Sequence, residues 1–249
     1  MVTHRGACCR QKGKAVTTGP QRYDQVYTTA LKQGNPERSH LEGNITFLER
    51  TGLLHPALRT LEIGCGAGSL AGLLARQDCK VVATEISRVA LTYAAEEHPN
   101  VSFMQMDGTR LAFSDMTFDL VVSFDAFEHI SPVGRHLEEV HRVLKPAGAY
   151  LFGTPNKYPS IAFSLLRDRN RNYRIYHPSL QSAGSLRTLL RKHGFDASFC
   201  PLAMTEEFVY NKVRPVLGKQ LAALCARIEW DKLPASIRPS FYVIAMVEK

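Results

Sequence analysis

The stretch Leu61-Glu62-Ile63-Gly64-Cys65-Gly66-Ala67-Gly68-Ser69-Leu70 decides the fold. Arg59 to Ile63 reads as a buried strand, Gly64 to Gly68 as a turn, and the residues from about Ser69 as a helix. Glycine at 64, 66 and 68 leaves three alternate positions without a side chain, so the backbone can bend sharply and approach a ligand closely. The start of the following helix presents N–H groups that suit a carboxylate or phosphate. A nucleotide-like cofactor is the expectation. A dinucleotide fingerprint places its last glycine where this chain has Ser69, which disfavours a nicotinamide enzyme.

Working outward, Leu70, Leu73 and Leu74 give helical spacing to about Gln77, and Lys80 to Thr84 forms a second strand. Glu85 ends it, 17 residues after Gly68, near the distance at which nucleotide-binding α/β folds place a carboxylate for ribose hydroxyls. Ser87 caps a helix to about Glu97 with Val89, Tyr93 and Ala94 inward. Val101 to Gln105 is a third strand, followed by Asp107-Gly108. Phe118 to Val122 is a near-continuous apolar run, the mark of a strand covered on both faces. Beyond it, Asp125, Glu128 and His129 stand at i, i+3 and i+4, expected on one helical turn at the carboxyl end of a strand, where open α/β sheets bind ligands. A helix from Pro132 carries Val133, Leu137, Val140 and Leu144, and Ala149 to Gly153 is the next strand. Strand and helix alternate from Arg59 to Phe195, which argues a doubly wound, largely parallel sheet.

Glu62 before a G-x-G-x-G turn, Asp107, the Asp125-Glu128-His129 element and the run His141 to Leu151 together resemble the class I S-adenosylmethionine-dependent methyltransferases over roughly residues 40–155. The acidic-x-x-Glu-His element is similar to that of the ubiquinone-biosynthesis O-methyltransferase branch, with Asp125 where glutamate is usual and Ala147 where glycine is commoner in the late motif. The resemblance implies a Rossmann-like seven-stranded sheet, mostly parallel with an antiparallel last strand. It implies S-adenosylmethionine as cofactor, held by Glu62, Gly64, Cys65, Gly66, Gly68, Glu85, Ile86, Asp107, Gly108 and Asp125, with Asp107 meeting the adenine amino group. His129 and Asp125 are the candidate catalytic residues, His129 as a base toward a phenol. In that branch such carboxylates and histidines are also associated with a divalent metal, so Asp125, Glu128 and His129 are the candidate ligands, although no metal is expected here. The same resemblance makes Asn156, Arg174, Tyr176 and His177 candidate substrate contacts, since that region covers the substrate.

The chain has 249 residues, 45% hydrophobic and 22% charged, an ordinary globular composition. Its organisation reads as a flexible basic tail (1–22) and one domain (23–249). Within the domain lie an N-terminal helical cover (23–56), a cofactor-binding core (57–155) and two substrate-side insertions (155–184 and 201–236). The first insertion reads as irregular, and the second as holding a helix from Lys219 to Trp230. The net charge of +8 concentrates in the acid-free first 23 residues and around Arg167, Arg169, Arg171 and Arg174. Neither cluster alternates with a stacking platform, so nucleic acid is disfavoured as a partner and contact with an anionic surface stays open. Six cysteines without a metal spacing fit a reducing cytoplasm, and no run approaches a membrane span. The expected reaction is methylation of a small-molecule acceptor, foremost O-methylation of a phenol, quinol or natural product. C- or N-methylation, with a lipid or nucleic-acid acceptor included, and a non-catalytic cofactor-binding protein are the alternatives. The oligomeric state is not legible.

Overall fold

The computed structural model describes residues 19–37, 40–168, 173–200 and 206–248. Most of the expected tail, 1–18, lies outside them. Its end does not: Pro20–Lys32 is already a helix (α1), with proline in its first turn, where a missing N–H costs nothing. The second helix (α2, Leu41–Thr51) is shorter than the expected span from Glu37 to Leu54 and ends at Gly52, which takes the left-handed cap conformation. It buries Phe47 and Leu48, with Leu41 and Ile45 partly buried against the same core.

Strand β1 (Arg59–Ile63) leads through the glycine turn to α3 (Ser69–Arg76). Then come β2 (Lys80–Glu85), α4 (Arg88–Glu97), β3 (Ser102–Gln105) and β4 (Phe118–Phe124). Ser87 caps α4 by accepting from the Ala90 N–H. The helix α5 (Val133–Val143) runs into β5 (Leu144–Pro155), inside which Ala147 holds φ 60°, the conformation that glycine adopts without strain.

The first insertion is helical, contrary to the irregular course expected of it: α6 (Lys157–Asp168) and α7 (Tyr173–Tyr176). Its run Ile161-Ala162-Phe163 and Leu165-Leu166 lacks glycine, and Pro159 sits in the first turn, where a helix tolerates it. α8 (Ala183–Lys192) starts at a capping box of Ser182 and Ser185 and precedes β6 (Phe195–Cys200). α9 (Glu206–Ala226) begins well before the expected Lys219 and breaks at Gly218 (φ 79°, ψ 173°). β7 (Ser240–Val247) closes the chain.

The seven strands form one sheet in the order β3-β2-β1-β4-β5-β7-β6. β1 pairs in parallel with β2 and β4, β2 with β3, and β4 with β5, whereas β7 runs antiparallel to both β5 and β6. This is the Rossmann-like sheet expected, including the antiparallel last strand. Alternate residues of the central strands feed two cores. Leu120 and Val122 pack with Phe47, Leu48 and Leu74 on one face, and Leu61, Val121 and Tyr150 pack with Leu137, Val140 and Leu190 on the other. Both faces covered explain the continuous apolar run of β4. The chain order reverses between β1 and β4, and a crevice opens there beyond the carboxyl ends of the strands.

Candidate functional site

A cavity of 1190 Å³ occupies that crevice, walled by the glycine turn, the ends of β2, β3 and β4, and α1 laid across it. The turn is pinned to the end of β2, where the Thr84 carbonyl accepts from Gly64 N (2.7 Å) and Cys65 N (3.0 Å). Gly64 has φ 77°, and a Cβ there would stand 2.5 Å from the Ala126 methyl. At Gly66, φ 53°, a Cβ would collide with the Tyr27 hydroxyl of α1. The space that glycine leaves is therefore the floor of the cavity on one side and the seat of α1 on the other.

Glu85 meets this turn directly. Its Oε2 accepts from Gly66 N at 3.1 Å, and its Oε1 accepts from Ile86 N (2.8 Å) and Ser87 N (3.0 Å). Burial pushes this carboxyl above the usual range, and those N–H groups oppose the shift. Glu62, buried at the end of β1, has an Oε2 with no hydrogen-bond partner. Burial first, then the nearby Glu37, pushes its pKa from 4.5 up to about 8. Burial also raises the Cys65 thiol, which keeps it protonated and unreactive.

The Asp107 loop is held from behind. Asp107 Oδ1 accepts from Thr109 N and Thr109 Oγ1, both at 2.8 Å. The fully buried His136 of α5 lies against the Gly108 carbonyl (Nδ1, 2.7 Å) and the Tyr150 hydroxyl (Nε2, 3.0 Å). Burial lowers its pKa from 6.5 to about 4, so the ring is neutral. A neutral ring donating from Nδ1 to Gly108 accepts the Tyr150 proton at Nε2, and both contacts are satisfied together. Arg142 adds to this, donating to the Leu111 and Phe113 carbonyls at 2.8 and 2.7 Å while paired to Glu139.

The segment after β4 departs from expectation. Asp125, Glu128 and His129 do not share one helical turn: Asp125 takes a left-handed φ of 53°, and only Phe127–His129 winds, as a single 3-10 turn. Asp125 and His129 line the cavity, whereas Glu128 is buried beneath it and accepts from Thr154 Oγ1 at 3.2 Å. His129 Nδ1 contacts the Tyr176 carbonyl at 2.7 Å, and its Nε2 lies 3.8 Å from Glu128 Oε1. The His177 ring packs on His129 at 4.8 Å between centroids.

Of the residues expected at the cofactor, Glu62, Gly64, Cys65, Gly66, Glu85, Ile86, Asp107, Gly108 and Asp125 line the cavity. Gly68 does not: it caps α3 at φ 81°, where a Cβ would press on Ala94 and Phe103. Asn156, Tyr176 and His177 also stand outside the lining, and the Arg174 side chain lies outside what the structure describes. Asn156 is fully buried, with Nδ2 donating to the carbonyls of Ala235, Ser236 and Arg238 at 2.8–3.3 Å. That amide fastens the second insertion to the sheet rather than facing the cavity. Sequence reading missed Tyr23 and Tyr27, which α1 brings over the cavity; their i, i+4 spacing was the signal, but only the crossing of α1 shows which way they face.

The donor set for a metal also changes. Glu128, His129 and His177 offer atoms within 4.8 Å of one another, and Asp125 is not among them.

Residues 61–152 match the family described as Methyltransferase domain. Over that segment the chain is similar to S-adenosylmethionine-dependent methyltransferases. A protein named probable S-adenosylmethionine-dependent methyltransferase from Mycobacterium tuberculosis is 34% identical over 143 residues, 57% of this chain and 50% of that protein. A ubiquinone biosynthesis O-methyltransferase from Alkalilimnicola ehrlichii is 33% identical over 114 residues, covering 43% and 46%. The chain thus spans about half the length of the curated relatives it matches. Among solved structures, the [4+2]-cyclase SpnF superposes with a TM-score of 0.63 over 96% of this chain and 99% of its own, at 19% identity, which shows the shared fold. No helix among the described residues is long and apolar enough to cross a membrane.

Proposed function

We propose that this chain transfers the methyl group of S-adenosylmethionine to a hydroxyl of a small molecule, a phenol, quinol or related natural product. The observation that carries the reading is His129 on the cavity wall, with Nδ1 on the Tyr176 carbonyl and Nε2 beside the buried Glu128. An Nδ1–H donated to that carbonyl leaves the lone pair on Nε2, the tautomer a general base needs. The Glu128 carboxylate, held by Thr154, then stabilises the imidazolium formed as the hydroxyl loses its proton.

The cavity residues fit the cofactor. The unpartnered Glu62 Oε2 offers an acceptor for its ammonium group, and the glycine turn lets its chain lie close to the backbone. A carboxylate has about four acceptor sites. Three N–H groups occupy Glu85, so Oε2 retains one for a ribose hydroxyl. Asp107, with Oδ1 turned to Thr109, presents Oδ2 toward the adenine amino group. When bound, the cofactor supplies a methyl already activated by its sulfonium. The protein's part is then to align the acceptor, take its proton and exclude water. The O-methyltransferase name among the relatives supports an oxygen acceptor.

A divalent metal is not required by this reading. Glu128, His129 and His177 would be its holders, but His129 Nδ1 already serves the Tyr176 carbonyl.

Transfer of labelled methyl to a panel of catechols, quinols and phenols tests the proposal. The expected product carries the label on oxygen, without loss of rate in a chelator. His129→Ala should lower kcat by roughly a hundredfold or more with little change in cofactor affinity. Label on carbon or nitrogen, or an unchanged kcat in His129→Ala, would overturn it.

A further inference from the structure

Exposed apolar side chains are not scattered over this molecule. Of the twelve large ones among the described residues, nine fall in the two insertions and a tenth, Ile237, directly follows the second. α6 packs against α9, and its outer side shows Tyr158, Leu165 and Leu166, with Leu166 62% exposed. Past the break at Gly218, α9 buries Ala222 inward and turns Leu221 and Leu224 outward, 50% and 62% exposed. Leu221 and Leu224 follow i, i+3, so they lie along one side, and the exposed Ile228 comes just past the helix end. Apolar surface gathered in this way marks an interaction site.

Within its two runs the charge is positive, with Asp168 and Glu229 at their ends. Lys157 to Arg167 contains no acid, and neither does Val213 to Ile228, where Arg214, Lys219 and Arg227 are all exposed. Basic residues interleaved with outward leucines on a helix too polar to span a bilayer are the pattern of an element lying in a lipid interface. A second copy of the chain would bring these cations against their own kind. A nucleic acid would meet leucine where it needs a stacking surface.

We propose that the outer face of α6 and the C-terminal half of α9 seats this protein on an anionic lipid bilayer, with Leu221 and Leu224 in the acyl boundary and Lys219 and Arg227 among the headgroups. The bilayer then lies against the insertion that also supplies the cavity rim, where the exposed Ile175 of α7 lines the wall. The proposal stands apart from the choice of acceptor and does not depend on methyl transfer.

The test is co-sedimentation of the full chain with vesicles of phosphatidylcholine alone or with about a third phosphatidylglycerol, at low and high salt. The expected result is at least about tenfold stronger partitioning onto the anionic vesicles, weakened by salt. Leu221→Ser with Leu224→Ser, and separately Lys219→Glu with Arg227→Glu, should each cut it about tenfold or more. All these side chains are exposed, so both variants should melt as the parent does, and the melt is the control for folding. Equal binding to neutral and anionic vesicles, no binding, or variants that bind like the parent would overturn the proposal. So would a concentration-dependent dimer that the leucine pair abolishes, or RNA competing as well as the vesicles.

Discussion

At the scale of single residues, Glu62 sets how this protein responds to pH. Its carboxyl is buried and protonated through neutrality, with a folded-state pKa of about 8 against 4.5 when unfolded. The folded chain therefore holds one more proton than the unfolded chain between those values. The stability this contributes is complete below about pH 4.5 and is lost as pH rises through about 8. His136 acts oppositely: its folded-state pKa is about 4 against 6.5, so its contribution is complete above 6.5 and lost as pH falls through 4. Between pH 4.5 and 6.5 the two offset each other, and above 6.5 Glu62 acts without that counterweight. Denaturation in urea should show the ligand-free protein losing roughly 1.5–2 kcal/mol from pH 6.5 to 8. Glu62→Gln should remove most of that fall. An equal fall in the variant would show that Glu62 is already ionised at neutral pH.

At the scale of elements, α1 is a strap across the cavity, fixed at two points. Asp24 Oδ1 accepts from Ser87 Oγ (2.7 Å) and Val89 N (3.2 Å) at the head of α4. Arg22 Nη1 donates to the Ile175 carbonyl (3.2 Å), and its guanidinium lies 4.5 Å from the centre of the Tyr176 ring. Hydrogen bonds to a charged group are each worth about 1.5–3 kcal/mol. Asp24→Ala should therefore weaken S-adenosylhomocysteine binding by roughly tenfold, mainly through faster release. Stopped-flow displacement measures this, and an unchanged release rate would mean that the strap does not gate the cavity.

The same elements show what could be read in the sequence. β1 and its glycine turn were legible to the residue, because burial on both faces and local turn chemistry leave few alternatives. Glu85 was legible because its distance from the turn is fixed by one helix and one strand. α1 and its tyrosines were only half legible, since a surface helix shows its spacing but not what it crosses. The turn around Asp125 was misread: helical spacing does not reveal that Asp125 itself takes φ 53°. Asn156 was misplaced for a related reason, because nothing local records that three carbonyls of a segment about eighty residues later enclose its amide.

At the scale of the whole molecule, the sheet order creates the crevice, the glycine turn and Glu85 shape its floor, and the first insertion brings Ile175 and Pro178 to its wall. The fold alone does not choose the chemistry, since it is shared with a cyclase. This cavity is expected to hold S-adenosylmethionine. Thermal denaturation with S-adenosylmethionine, S-adenosylhomocysteine, NADH and buffer alone tests it most directly. At about a hundred times the dissociation constant, each sulfur compound should stabilise by roughly 2.7 kcal/mol. In a chain of this size that raises Tm by about 5–10 °C, with no shift from NADH. No shift with either sulfur compound, or a shift with NADH alone, would contradict the account.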